Sequence, residues 1–169
     1  MNDIKNKLKI YLNSNLDDTC IFIEEDKFVN FCSMSMVDIS VKTNNNNIDD
    51  YLNNHNNYSD FQTTLFNFID KKNLKDSDVY NKVHIDRRLF SKIRGDKNYH
   101  PSKETIILLA ISLELDEKEL EQLLDSASYS LPKNNKYDLI IRFCFINKIF
   151  KLTDVNELLY EYNCKLFNQ

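Results

Sequence analysis

Five polar side chains crowd one short stretch of the chain: Arg87, Arg88, Ser91, Lys92 and Arg94. On a helix, at about 100° per residue, they fall roughly opposite Leu89, Phe90 and Ile93. Such a helix has one side to pack and another to meet a polyanion. Arginine and lysine pair with the major-groove edge of guanine, and both contact phosphate. The chemistry this spacing points to is nucleic-acid recognition. Charge is partitioned in the same sense. Between Lys75 and Lys103 there are 8 basic and 4 acidic residues, whereas Glu104 to Asp125 carries 1 basic and 7 acidic. The basic excess is therefore local to a chain whose formal net charge is −4, as expected of a docking face rather than of a protein that coats nucleic acid by bulk attraction. A solvated helix face beside an unrelated acidic helix would carry the same charges.

Catalytic alternatives find less support in the residue types. The 169 residues include one glycine, Gly95, and two prolines, Pro101 and Pro132. That excludes the G-x-G-x-x-G turn, the phosphate loop and the G-x-S-x-G nucleophile elbow, each of which needs several glycines. The three histidines, His55, His84 and His100, are scattered and define neither a triad nor a metal geometry. Glu24, Glu25 and Asp26 read as a solvated turn. None of Cys20, Cys32, Cys144 and Cys164 forms a C-x-x-C pair or stands at metal-ligand spacing from a histidine. Free thiols in a reducing cytoplasm fit that pattern. The expectation is no catalytic residue, no metal, no cofactor and no membrane segment, because the apolar runs are too short to span a bilayer.

The elements that would position the basic stretch follow from periodicity. With 42% hydrophobic residues the chain is not globally disordered. Ile4, Leu8, Tyr11 and Leu12 predict a helix over Asn2 to Asn13. The β-branched and aromatic runs at Cys20–Ile23, Phe28–Cys32 and Val37–Lys42 suggest two or three short strands, so residues 1–43 form a small α/β segment. The Asn-rich run 44–60 reads as a linker. From Phe61 the pattern is helical throughout. Phe61, Leu65, Phe66, Phe68 and Ile69 share a face. Asp76 is a candidate cap for a helix with Val79 and Val83, and Asp86 for the helix with Phe90 and Ile93. That basic helix stops at Gly95, where a left-handed turn costs little. Ser102 caps a helix whose run Ile106–Ile111 is apolar nearly all round and therefore central. Asp116 and Glu119 form a capping box ahead of Leu120, Leu123, Leu124 and Ala127. After Pro132, an apolar helix over 137–150 carries Asp138 and Arg142 at i, i+4, and Thr153 or Asp154 caps a last helix. The fold class is mainly α: a five-helix bundle over 61–131 and a helical extension over 132–169. No internal repeat is visible.

The stretch from Asp76 through Val79-Tyr80-Asn81-Lys82-Val83-His84-Ile85-Asp86-Arg87-Arg88 to Gly95 resembles the helix-turn-helix of phage-repressor-like (Xre-type) regulators. Pro101–Thr105 with Leu108–Leu115 resembles that family's fourth helix and its exit, and Asp116–Leu120 its fifth. The resemblance covers about residues 61–129. It implies that the second helix of the motif enters the major groove, with Arg87, Arg88 and Lys92 at base-contacting positions. It also implies phosphate contacts from Ser91, Arg94 and Lys97, packing by Val79, Val83, Phe90 and Ile93, and double-stranded DNA bound by a homodimer. Two positions depart from the family pattern: Tyr80 stands where a small residue is usual, and His84 where glycine often makes the turn. The stretch from Phe61 onward also resembles a helix-turn-helix-like module of low-GC bacteria. The expectation is a cytoplasmic, DNA-binding transcriptional regulator. The alternative is a protein-interaction module, in a prophage or anti-phage locus, meeting its partner through Tyr80, Leu89 or the 137–150 helix.

Overall fold

The computed structural model describes residues 2–16 and 60–167. The expected strands, the linker up to residue 59, Cys20, Cys32 and His55 lie outside the described residues. Among those described, the chain is mainly helical and contains no strand. The helices are α1 (Asn2–Leu16), α2 (Phe61–Lys71), α3 (Asp76–Lys82), α4 (Arg87–Gly95), α5 (Lys103–Ser112), α6 (Glu117–Ser126), α7 (Lys136–Ile146) and α8 (Leu152–Glu161). All belong to one compact unit, and none is long and apolar enough to cross a membrane.

The run that is apolar all round is the central element. Ile106, Ile107, Leu109, Ala110 and Ile111 of α5 are fully buried, and α5 packs on α6 and on α3. Its C-terminal Ser112, itself buried, donates a 2.6 Å hydrogen bond to the Val79 carbonyl, which ties α5 to α3. α7 is nearly as enclosed: Leu139, Ile140, Ile141, Cys144 and Phe145 are buried beneath α1, α6 and α8. From α1, Leu8 and Leu12 enter the core and Tyr11 packs on Phe143 with ring centroids 5.5 Å apart. The Cys144 thiol sits among these side chains, and burial pushes its pKa up to about 12, which leaves it a core residue rather than a nucleophile.

Of the caps expected from the sequence, Asp86, Ser102 and Asp116 are in place, and Asp60 and Asn135, which the sequence did not single out, cap two further helices. Asp60, Asp86, Ser102 and Asn135 each accept a backbone N–H from the following turn, and Asp116 with Glu119 forms a reciprocal capping box. Two expected caps are elsewhere. α3 begins after Lys75, which gives no side-chain cap, and Asp76 turns instead to Arg94. α8 begins after Lys151, while Thr153 and Asp154 lie inside its first turn, their side chains bonded to each other. α1 runs three residues beyond its expected end, and α7 stops at Ile146.

Helix exits follow a rule that the single glycine hides. Gly95 is the last residue of α4 and does not take positive φ. Six other helices leave through a left-handed residue: Asn73, His84, Glu114, Ser128, Lys148 and Asn163. After each, the next N–H bonds back to the carbonyl five residues earlier, at 2.8 to 3.2 Å, from Leu74, Ile85, Leu115, Tyr129, Ile149 and Cys164. This is the Schellman arrangement, in which the carbonyls of the last turn are satisfied and an apolar residue is drawn inward. Left-handed φ costs a non-glycine residue roughly 1–2 kcal/mol, part of which glycine gives back through its freer unfolded chain. Lys148 is exposed with no side-chain partner among the described residues. Lys148→Gly is therefore expected to raise stability by about 0.5–1 kcal/mol in chemical denaturation; an unchanged or lower midpoint would contradict the assigned exit.

Asp138 and Arg142 do not pair along α7. The buried Asp138 carboxylate lies 2.6 Å from Lys103 Nζ of α5. The Arg142 guanidinium bonds Glu117 and Glu121 of α6 and the Leu131 carbonyl. Each ion pair clamps α7 to a different neighbour.

Candidate nucleic-acid interface

The basic helix is set by its two ends and its apolar side. Asp86 Oδ1 accepts the Arg88 N–H at 2.6 Å and fixes the start. At the far end the Gln62 amide of α2 donates to the Ile93 and Asp96 carbonyls. Phe90 and Ile93 are buried and Leu89 half-buried, so the packing side is the one that the helical spacing indicates. Between α3 and α4 the chain turns through Val83-His84-Ile85-Asp86. His84 is exposed there at φ 56°, and buried Val83 and Ile85 hold the turn against the core.

Tyr80 neither blocks this surface nor stands out from it. It is half-buried and packs on Phe90 with ring centroids 5.5 Å apart, while Phe66 of α2 meets the same Phe90 ring edge-on at 6.2 Å. A three-ring pedestal thus lies under α4, and the bulk of Tyr80 fills space between the two helices. In the helix over 137–150, the other expected partner surface, most large side chains are interior; Ile146, Asn147 and Lys148 near its end are exposed, and Tyr137, Arg142 and Phe150 are half-buried.

Arg87, Arg88, Ser91, Lys92, Arg94 and Lys97 are all exposed, but they are not equivalent. Arg94 is committed: its guanidinium bonds Asp76 at 2.7 Å and lies 4.3 Å over the Phe66 ring. It acts as a clip between α4, α3 and α2, a role the wheel could not give it. Lys92 rests 4.5 Å over the ring of Tyr99 and meets no carboxylate among the described residues. Arg87 and Arg88 have neither an ion pair nor a ring contact among the described residues. The acids nearby are occupied with backbone or Arg94: Asp86 caps α4, Asp76 holds Arg94, and Asp96 accepts the Asn98 N–H. Lys97 stands beyond the helix, close enough to Asp60 to help lower that carboxyl's pKa, which the Thr63 backbone N–H depresses most.

Two contributors were not visible in the sequence. Tyr99 and Phe66 lie outside the helix whose cations they carry, and periodicity gives no signal for a cation and a ring brought together across a loop. The two described histidines have separate places: His84 is at the turn, and His100 spends Nε2 on the Ala127 carbonyl at 2.7 Å. No protein-family model, curated protein or solved structure matches the chain, and the chemistry of this face is the guide to function.

Proposed function

We propose that the chain is a DNA-binding transcriptional regulator of the repressor-like helix-turn-helix type, with α2 to α6 as its five-helix bundle and α4 as the helix that enters the major groove of double-stranded DNA. The observation that carries this is the pair of arginines in the first turn of α4, unpartnered among the described residues. A helix N-terminus bears partial positive charge and favours acids there. Two adjacent arginines at that place, with no carboxylate to meet them among the described residues, work against local stability and are suited to an anionic partner. The protein works as a homodimer in the cytoplasm, because a helix of about two turns reads only a few base pairs and a second copy doubles the site. The protein-interaction alternative draws less support, since Tyr80 and Leu89 are half-buried against the bundle.

Selection of duplexes from random sequence at low salt tests this. A recurring site is expected, whose affinity falls steeply as salt rises, with a log–log slope near −0.9 for each phosphate contacted. Recovery of no duplex would overturn the proposal.

A further inference from the structure

The cations of α4 are held in three ways, and the difference has consequences for what each can recognise. Arg94 is locked by Asp76 and Phe66. Arg87 and Arg88 are unheld among the described residues. Lys92 is intermediate: its ammonium sits on the Tyr99 ring at 4.5 Å, and among the described residues no carboxylate neutralises it. A ring face attracts a cation without removing its charge or its N–H donors. One side of the ammonium is covered, and the donors on the other side remain available to a ligand.

The ring itself is fixed from elsewhere in the bundle. Its backbone N–H donates to the Asp96 carbonyl at 3.0 Å, and that same carbonyl accepts the Gln62 amide of α2 at 2.8 Å. Asp96 Oδ1 accepts the Asn98 N–H. One residue further on, His100 Nε2 is bonded to the Ala127 carbonyl at the end of α6. Tyr99 is half-buried and packed against the core. The loop that carries it is thus pinned to α2 and α6, and its ring, packed against the core, forms a seat for Lys92.

Resting on the regulator proposal, we infer that Tyr99 is a positioning residue for Lys92 and that Lys92, so held, distinguishes one duplex sequence from another. A free arginine adapts to whichever phosphate is near. A lysine whose stem is already ordered loses less rotamer freedom on binding and presents its donors in one direction, which suits a particular base edge rather than any phosphate.

The test uses the full chain, the selected duplex and a scrambled duplex, with binding followed by fluorescence anisotropy. Tyr99→Leu is expected to weaken the selected duplex about three- to fivefold and leave the scrambled one unchanged. Tyr99→Phe, which keeps the ring, should bind like the parent. In a Lys92→Ala background, Tyr99→Leu should add no further loss. Tighter binding by Tyr99→Leu, or an equal loss in the Lys92→Ala background, would overturn the inference. Proton NMR without DNA separates the two levels: the Lys92 ε-methylene protons should show an upfield ring-current shift in the parent and Tyr99→Phe, and lose it in Tyr99→Leu. A parent that binds its duplex but lacks that shift overturns the positioning alone. A parent that shows the shift but binds no duplex overturns the regulator proposal and, with it, the discriminating role of Lys92.

Discussion

Replacing Arg87 and Arg88 together by glutamate is expected to lower duplex affinity by at least about 100-fold while leaving the melting temperature the same or slightly higher. The two effects have separate causes. Each arginine in a good base contact is worth about 1–3 kcal/mol. Losing both and setting two carboxylates against phosphate brings the total to at least about 3 kcal/mol, which corresponds to a loss of at least about 100-fold. On the folded chain the change acts in the opposite sense. Neither side chain packs in the core or meets a partner among the described residues, and acids in the first turn of α4 complement the helix dipole by about 0.3–1 kcal/mol each, less some repulsion from Asp86. Anisotropy titration beside a thermal melt reads both quantities. Near-parent affinity in the double variant would remove the basis for α4 as the recognition helix.

Lys103→Met is expected to destabilise the fold strongly, because it removes the counter-ion of a buried carboxylate. Asp138 is 2% exposed and its carboxylate is 2.6 Å from Lys103 Nζ. Removing the lysine leaves a buried charge without its counter-ion, which costs about 3–5 kcal/mol. Because Lys103 keeps 24% of its side-chain surface exposed, water reaches the site and the lower part of that range, near 3 kcal/mol, is the expected value. A domain of ordinary stability has about 5–15 kcal/mol in total, so the variant should unfold at a clearly lower urea concentration. The double variant Lys103→Met, Asp138→Leu should recover most of the loss, since an apolar pair of similar volume needs no desolvation. A cost below about 1 kcal/mol for Lys103→Met would show that the pair behaves as an exposed one.

These two predictions lie on opposite sides of what the sequence makes legible. Arg87 and Arg88 are readable because helical periodicity assigns them a face: once Phe90 and Ile93 point inward, the arginines must point out. The same logic found α5, where an unbroken apolar run admits no exposed side, and the caps at Asp86, Ser102 and Asp116, whose signals are local. Lys103 and Asp138 are 35 positions apart, and no periodicity relates them. The i, i+4 spacing of Asp138 and Arg142 suggested a pair along α7, but the burial of that helix turned each charge toward a neighbour able to compensate it. Arg94 shows the same limit: the wheel put it on the open face, and only the approach of Asp76 and Phe66 shows that it is committed. Gly95 misled in another way. Glycine is the usual left-handed helix exit, yet here six other residues adopt that conformation; at three of them the next residue, Ile85, Leu115 or Ile149, is buried in the core, whereas Leu74 after Asn73 is exposed.

The most direct measurement is a titration of the isotope-labelled chain with its selected duplex, followed amide by amide. Backbone signals from Asp86 to Lys92 and around Lys97 to Tyr99 are expected to move together and saturate at one stoichiometry, with those of α7 and α8 stationary. Unmoved α4 signals, with the shifts gathered instead on α1 or α8 near the exposed Ile10 and Tyr160, would contradict the assignment of the arginine face as the surface that meets DNA.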